Sequence, residues 1–132
     1  MISVLIDYND EGHAALIWSA LSVLEWNSFN VESFRRFRDV NLSPMANDRE
    51  IYRFAQAHGM LLLTGNRNDD GPDSLEQTLR DERTDESIPV LTIANMNRIY
   101  FDSSYRADCA TRIEEIAWKI EDYRGFSRIF IP

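Results

Sequence analysis

Hydrophobic positions along the chain fall into two rhythms. Short, nearly unbroken apolar runs at Ile2–Ile6, 60–64 and 89–94 read as strands buried on both faces. Between them, apolar residues recur at one-face helical spacing. Ile17, Ala20, Leu21 and Leu24 predict a helix over 12–25, and Ile51, Phe54 and Ala55 predict one over 48–58, closed by Gly59. Residues 73–83 read as a third helix, with Asp73 and Glu76 at capping-box spacing. Ile113, Ile116, Ala117 and Ile120 mark the buried stripe of the longest helix, over 103–123. Weaker alternation over 28–34, a short extended piece at 99–101 and a closing run over 127–131 complete the elements, and 39–47 reads as a loop. Strands alternating with helices predict an α/β domain, a mainly parallel sheet with helices on both faces.

The apolar run Leu61-Leu62-Leu63 ends abruptly in Thr64-Gly65-Asn66-Arg67-Asn68-Asp69-Asp70-Gly71-Pro72-Asp73. The first strand likewise delivers Asp7, with Asp10 and Glu11 close behind. Open α/β folds place their sites at such carboxyl ends of strands. Carboxylates from two strand ends that meet there can hold a hard divalent cation, since Mg²⁺ and Mn²⁺ prefer carboxylate and water oxygens. A cation so held polarises a phosphoryl oxygen and acidifies bound water. Each acid also has a plainer reading. Asp10 and Glu11 suit a helix start. Asp48 is a favourable first-turn acid beside the capping pair Asn47 and Glu50. Asp73 reads as an N-cap, and Asn66 and Asn68 can close their loop through side-chain to backbone bonds. Asp7, which ends a central strand, is the hardest to explain structurally.

Composition narrows the chemistry. With 132 residues and a 44% apolar fraction, the chain suits one soluble domain. Its net charge of −8 and its one lysine, Lys119, argue against tight nonspecific nucleic-acid binding, which needs cations to neutralise phosphates. Arg35, Arg36 and Arg38 form the one clustered basic group, readable as phosphate forks or as balance for nearby acids. The lone Cys109 allows no internal disulfide and, with His13 and His58 as the only histidines, no zinc site. No membrane-length apolar stretch or secretory leader is seen, so the expectation is a cytoplasmic protein without a membrane partner. Phosphate-loop, dinucleotide and nucleophile-elbow signatures are absent from the sequence. Trp18 falls off the main stripe of the first helix and reads either as interface or as packing at the core edge.

Three places in the chain resemble the PIN-like domain superfamily, in particular its small, minimal members of toxin type and of uncharacterised bacterial and cyanobacterial families. They are Val4-Leu5-Ile6-Asp7, Asp48-Arg49-Glu50-Ile51 ahead of Ala55, and Leu61-Leu62-Leu63-Thr64-Gly65-Asn66. The resemblance implies a three-layer α/β/α fold and an Mg²⁺- or Mn²⁺-dependent ribonuclease. It implies that Asp7, Asp48 and Asp70 hold the metal, that Asn66 and Asn68 position water or substrate, and that Arg67 contacts a phosphate. RNA is the implied substrate, and an antitoxin or other protein partner the implied binder. The chain departs from the family pattern at Asn66, where an aspartate usually follows the threonine. An amide brings no negative charge, so a degenerate module acting in protein binding or homodimerisation is the alternative.

Overall fold

Residues 1–24 and 30–132 are described by a computed structural model. The strands are β1 (Ile2–Ile6), β2 (Val31–Arg35), β3 (Leu61–Thr64), β4 (Val90–Ile93) and β5 (Arg128–Ile131). The helices are α1 (Glu11–Leu21), α2 (Asp48–Ala57), α3 (Leu75–Glu82), α4 (Met96–Phe101) and α5 (Ser103–Trp118). All neighbouring strands pair parallel, in the order β2-β1-β3-β4-β5.

The period of two along each strand divides the core between the two faces of the sheet. Val4, Ile6, Leu61, Leu63, Leu91 and Ile93 pack with residues of α1, α4 and α5. Leu5, Leu62 and Val90 turn the other way, onto Ile51, Tyr52 and Ala55 of α2 and Leu75 and Leu79 of α3. The fold is therefore a three-layer α/β/α sandwich with an all-parallel sheet. Covering both faces is what makes the strands read as unbroken apolar runs. Each buried Leu or Ile contributes about 1.5–3 kcal/mol of transfer free energy. No helix among the described residues is long and apolar enough to cross a membrane.

Local chemistry sets the helix starts. Asn47 caps α2 with the expected capping box, its Oδ1 accepting from Glu50 N at 2.9 Å while Glu50 Oε1 accepts from Asn47 N at 3.3 Å. α3 starts one residue later than expected. Ser74, not Asp73, is its N-cap, accepting from Gln77 N at 3.2 Å. Asp73 is drawn instead to Arg49 Nε at 3.0 Å. The same guanidinium reaches Asp81 at 2.8 Å and Glu82 at 2.6 Å, tying α2 to α3.

Three other expectations change. Residues 99–101 are not extended but form the end of α4, because Asn95 accepts from Arg98 N and starts a helix there. The long helix stops at Trp118, and Ile120–Tyr123 is a separate 3-10 turn. The first helix ends at Leu21 rather than 25, with Ser22 and Val23 in a turn that follows it, while Glu25, Trp26 and the start of the 28–34 strand lie outside the described residues. Trp18 packs on Phe34, with ring centroids 5.0 Å apart. Arg36 pairs with Asp39 and Arg38 with Glu11, the charge-balancing reading of that cluster. Glu114 lies fully buried in α5, with Oε1 accepting from Asn30 Nδ2 at 2.6 Å and Oε2 without a partner.

Candidate active site

In this strand order the chain leaves β1 toward β2 on one side and returns to place β3 on the other. The carboxyl ends of β1 and β3 are thus neighbours at a topological switch point, where doubly wound sheets form a crevice. Asp7 directly follows β1, and its backbone N–H continues the ladder to Leu63 O at 3.0 Å. Thr64 ends β3 and is fully buried. Its hydroxyl donates to Asp7 Oδ2 at 2.6 Å and accepts from Asn66 N at 2.9 Å. One hydroxyl therefore joins the two strand ends to the loop that follows.

Two more carboxylates come to the same place. The 3-10 turn Tyr8–Asp10 brings back Asp10, whose Oδ2 accepts from Gly65 N at 2.8 Å. Asp48, the first residue of α2, accepts through Oδ2 from Asn66 Nδ2 at 3.0 Å and from Leu75 N at 3.1 Å. Asp7, Asp10, Asp48 and Asn66, with Tyr8 and Phe37, line a cleft of about 330 Å³. Burial pushes the Asp7 carboxyl above its ordinary value, the Thr64 hydroxyl opposes that, and the charges of Asp10 and Asp48 add to it.

Asn66 organises the loop. Its Oδ1 accepts from Asn68 N at 2.7 Å, which leaves its nitrogen for Asp48. An aspartate there would face Asp48 with like charge. Asn68 Oδ1 in turn accepts from Asp70 N at 3.0 Å. Asn68 and Asp70 share a neighbouring groove with Asp48, and Asp7 does not line it. Arg67 leads elsewhere, donating to Ala94 O and covering the Phe130 ring at 5.0 Å. The structure thus gathers Asp7, Asp48 and Asn66 in one cleft, sets Asn68 and Asp70 beside it, and turns Arg67 toward β4 and β5.

Asp10 is a cleft residue that the sequence places behind the strand-ending Asp7 but that also suits a helix start, and the expected metal set does not include it. It occupies the N-cap position of α1 but makes no side-chain cap bond. The available signal was its place three residues after a strand-ending aspartate, one 3-10 turn on. The other reactive types stay out of the site. His13 packs against Tyr100, the rings tilted and their centroids 4.4 Å apart. His58 closes α2, with Nδ1 2.9 Å from Phe54 O. The Cys109 thiol is buried and pushed up to about 12, which makes it unreactive.

Among the described residues, no three His, Cys, Asp or Glu side chains form a ready-made cation cage. Magnesium does not require one. It is commonly held by one or two carboxylates, with waters and substrate phosphate completing the octahedron. Asp7 and Asp48 fit that donor set, and the mutual repulsion of the cleft acids is what a cation would relieve. In comparison with known proteins, no family model, curated protein or solved structure matches the chain.

Proposed function

We propose that this chain is a PIN-like ribonuclease, hydrolysing RNA phosphodiester bonds with the help of Mg²⁺ or Mn²⁺. The observation that carries the reading is the convergence of Asp7, Asp10 and Asp48, from three separate elements, on one cleft at the β1/β3 switch point. Asp7 and Asp48 would hold the cation. When bound, the cation supplies charge for the phosphoryl oxygens and a water of lowered pKa. Thr64 keeps Asp7 oriented through its 2.6 Å bond, and Asn66 does the same for Asp48. Asp10 adds negative potential and pins the Gly65 backbone. Asn68 and Asp70 line the groove next to Asp48 and would meet the substrate there. The single buried thiol suits a reducing compartment, and we place the protein in the cytoplasm.

The test is cleavage of a generic fluorogenic RNA with Mg²⁺, Mn²⁺ or EDTA, comparing the wild type with Asp7→Asn and Asp48→Asn. Cation-dependent cleavage that falls at least ~100-fold in both variants supports the proposal. An inactive wild type, or an Asp7→Asn variant that cleaves equally well, removes it. One observation favours a second reading, a non-catalytic module that binds an antitoxin or a second copy of itself. Asp48 Oδ2 is already occupied by Asn66 Nδ2 and Leu75 N, so this oxygen is satisfied without a cation. A wild type that is inactive yet dimeric in sedimentation would select that reading.

A further inference from the structure

Two buried side-chain atoms among the described residues have no hydrogen-bond partner, Glu114 Oε2 and Tyr52 Oη. A buried hydroxyl left unbonded costs stability that a phenylalanine in its place would not. Tyr52 belongs to α2, is 2% exposed and lines a cavity of about 310 Å³. Burial raises its pKa, with Ser87 the opposing group, so the hydroxyl keeps its proton. The cavity lies where the 84–87 turn leads toward β4, at the opposite end of the sheet from the Asp7–Asp48 cleft.

Its walls are held in place by the protein itself. Gln56 Nε2 donates to Ile88 O at 2.7 Å, and Gln56 Oε1 accepts from Ile88 N at 2.9 Å. Ser87 Oγ accepts from Thr84 N at 2.9 Å, and Thr84 Oγ1 accepts from Glu86 N at 3.2 Å. These two hydroxyls stand 3.4 Å apart, so whichever donates to the other, the second keeps a proton to give. Arg53 is committed to Glu82, donating from Nε at 2.8 Å, and the other oxygen of Glu82 is taken by Arg49. Glu86, also on the wall and exposed, makes no salt bridge among the described residues.

We infer that this cavity binds a small neutral polyol, about the size of one sugar ring, which accepts from Tyr52 once the Ser87 side chain rotates aside and donates to the Glu86 carboxylate. The site is separate from the cleft and does not depend on the ribonuclease reading. Each hydroxyl of a polyol both donates and accepts, which matches walls that offer hydroxyl protons and a carboxylate together. A phosphate would meet Glu86 and an arginine already neutralised. A divalent cation would find Glu82 holding two guanidinium groups. The carbon stems of Arg53 and Gln56 give apolar surface to the C–H edges of such a ligand.

Binding is measured on the full-length protein by saturation-transfer difference NMR, titrating D-ribose, D-glucose and myo-inositol, with inorganic phosphate and putrescine as charged comparators. At least one polyol should bind saturably. Tyr52→Phe should weaken it about 3- to 10-fold, the effect of one neutral hydrogen bond, and Glu86→Gln about 10-fold, because that bond is charge-assisted. Glu86 is exposed, so its variant tests the cavity without touching the core. Without ligand, Tyr52→Phe should melt at or above the wild type, since the hydroxyl it removes has no partner to lose. Failure of all three polyols to bind, or saturable binding by phosphate or putrescine alone, overturns the inference. Equal binding by the wild type and both variants does the same. A Tyr52→Phe protein that melts lower than the wild type in the absence of ligand also overturns it, because the hydroxyl then serves the fold rather than a ligand.

Discussion

Thr64→Val is the most direct test of how the cleft is held together. Valine has nearly the same shape and suits a buried strand, so packing is preserved and the hydroxyl alone is lost. That hydroxyl donates to Asp7 at 2.6 Å and accepts from Asn66 N at 2.9 Å. The first bond is charge-assisted and the second neutral, so their joint loss costs about 2–4 kcal/mol. Unfolding entropy scales with chain length, and for a domain of this size each kcal/mol moves Tm by roughly 3–4 °C. The expected fall is therefore about 7–15 °C in a thermal melt followed by circular dichroism. Thr64→Ser, which restores the hydroxyl, should recover most of it. The chemistry should move too. Burial already raises Asp7, and the Thr64 hydroxyl, more than the Tyr8 backbone N–H, holds it down. Without it, the acid limb of any cleavage profile shifts to higher pH, because Asp7 must be ionised to hold a cation. A Thr64→Val protein within about 1 °C of the wild type, with an unmoved acid limb, would refute this account.

Other outcomes follow from the same geometry. Saturating Mg²⁺ at a hundred times its Kd should stabilise the wild type by about 2.7 kcal/mol and leave Asp7→Asn unchanged, read as a Tm shift. Asp7 has its folded pKa raised, so its ionisation works against the fold. Wild-type stability should increase as pH falls through that folded value, and Asp7→Asn should be the more stable protein at pH 7 but not below the unfolded carboxylate pKa. Asn66→Asp should bind Mn²⁺ more tightly by isothermal titration, and should melt lower without metal because it sets a carboxylate against Asp48. Glu114 is likewise raised, chiefly by burial. Glu114→Gln should melt above the wild type at neutral pH and lose that advantage in acid; a variant that melts lower at neutral pH would show that the charge is needed by Asn30.

The parts of the fold that were legible in the sequence are those with one dominant physical cause. The three central strands announce themselves because both faces are covered, and α2 because its apolar face and Asn47 cap agree. Failures occurred where two neighbouring residues compete for one job. Asp73 and Ser74 can both cap a helix, and only the position of Arg49 on another helix decides between them. Ile99, Tyr100 and Phe101 suit a strand as well as a helix, and the Asn95 cap tips the balance. Within the cleft, the strand-end position singles out Asp7, whereas position alone reads Asp48 as a first-turn acid and only the PIN-like resemblance puts it in the expected site. Asp10 reads both as an acid behind the first strand and as a helix start, and its bond to Gly65, which spans 55 residues, is not visible in local spacing.

What no local spacing could supply is the strand order, and the cleft depends on it. Neighbouring strands lie about 4.8 Å apart, so two strands separated by a third are about twice that distance from each other. Had β2 inserted between β1 and β3, Asp7 could not have met Thr64 across 57 residues at 2.6 Å. The switch point makes that contact, and the contact fixes where Asn66 begins its loop. From there a single functional group sets the character of the cleft. With nitrogen facing Asp48, residue 66 offsets the charge of that carboxylate without any cation. With oxygen there, a fourth charge would favour metal and disfavour the metal-free fold. On the ribonuclease reading proposed above, the amide trades ligand charge for a cleft preformed before metal or substrate arrives, and that reading expects weak cation affinity in the free protein, strengthening when substrate phosphate adds its oxygens.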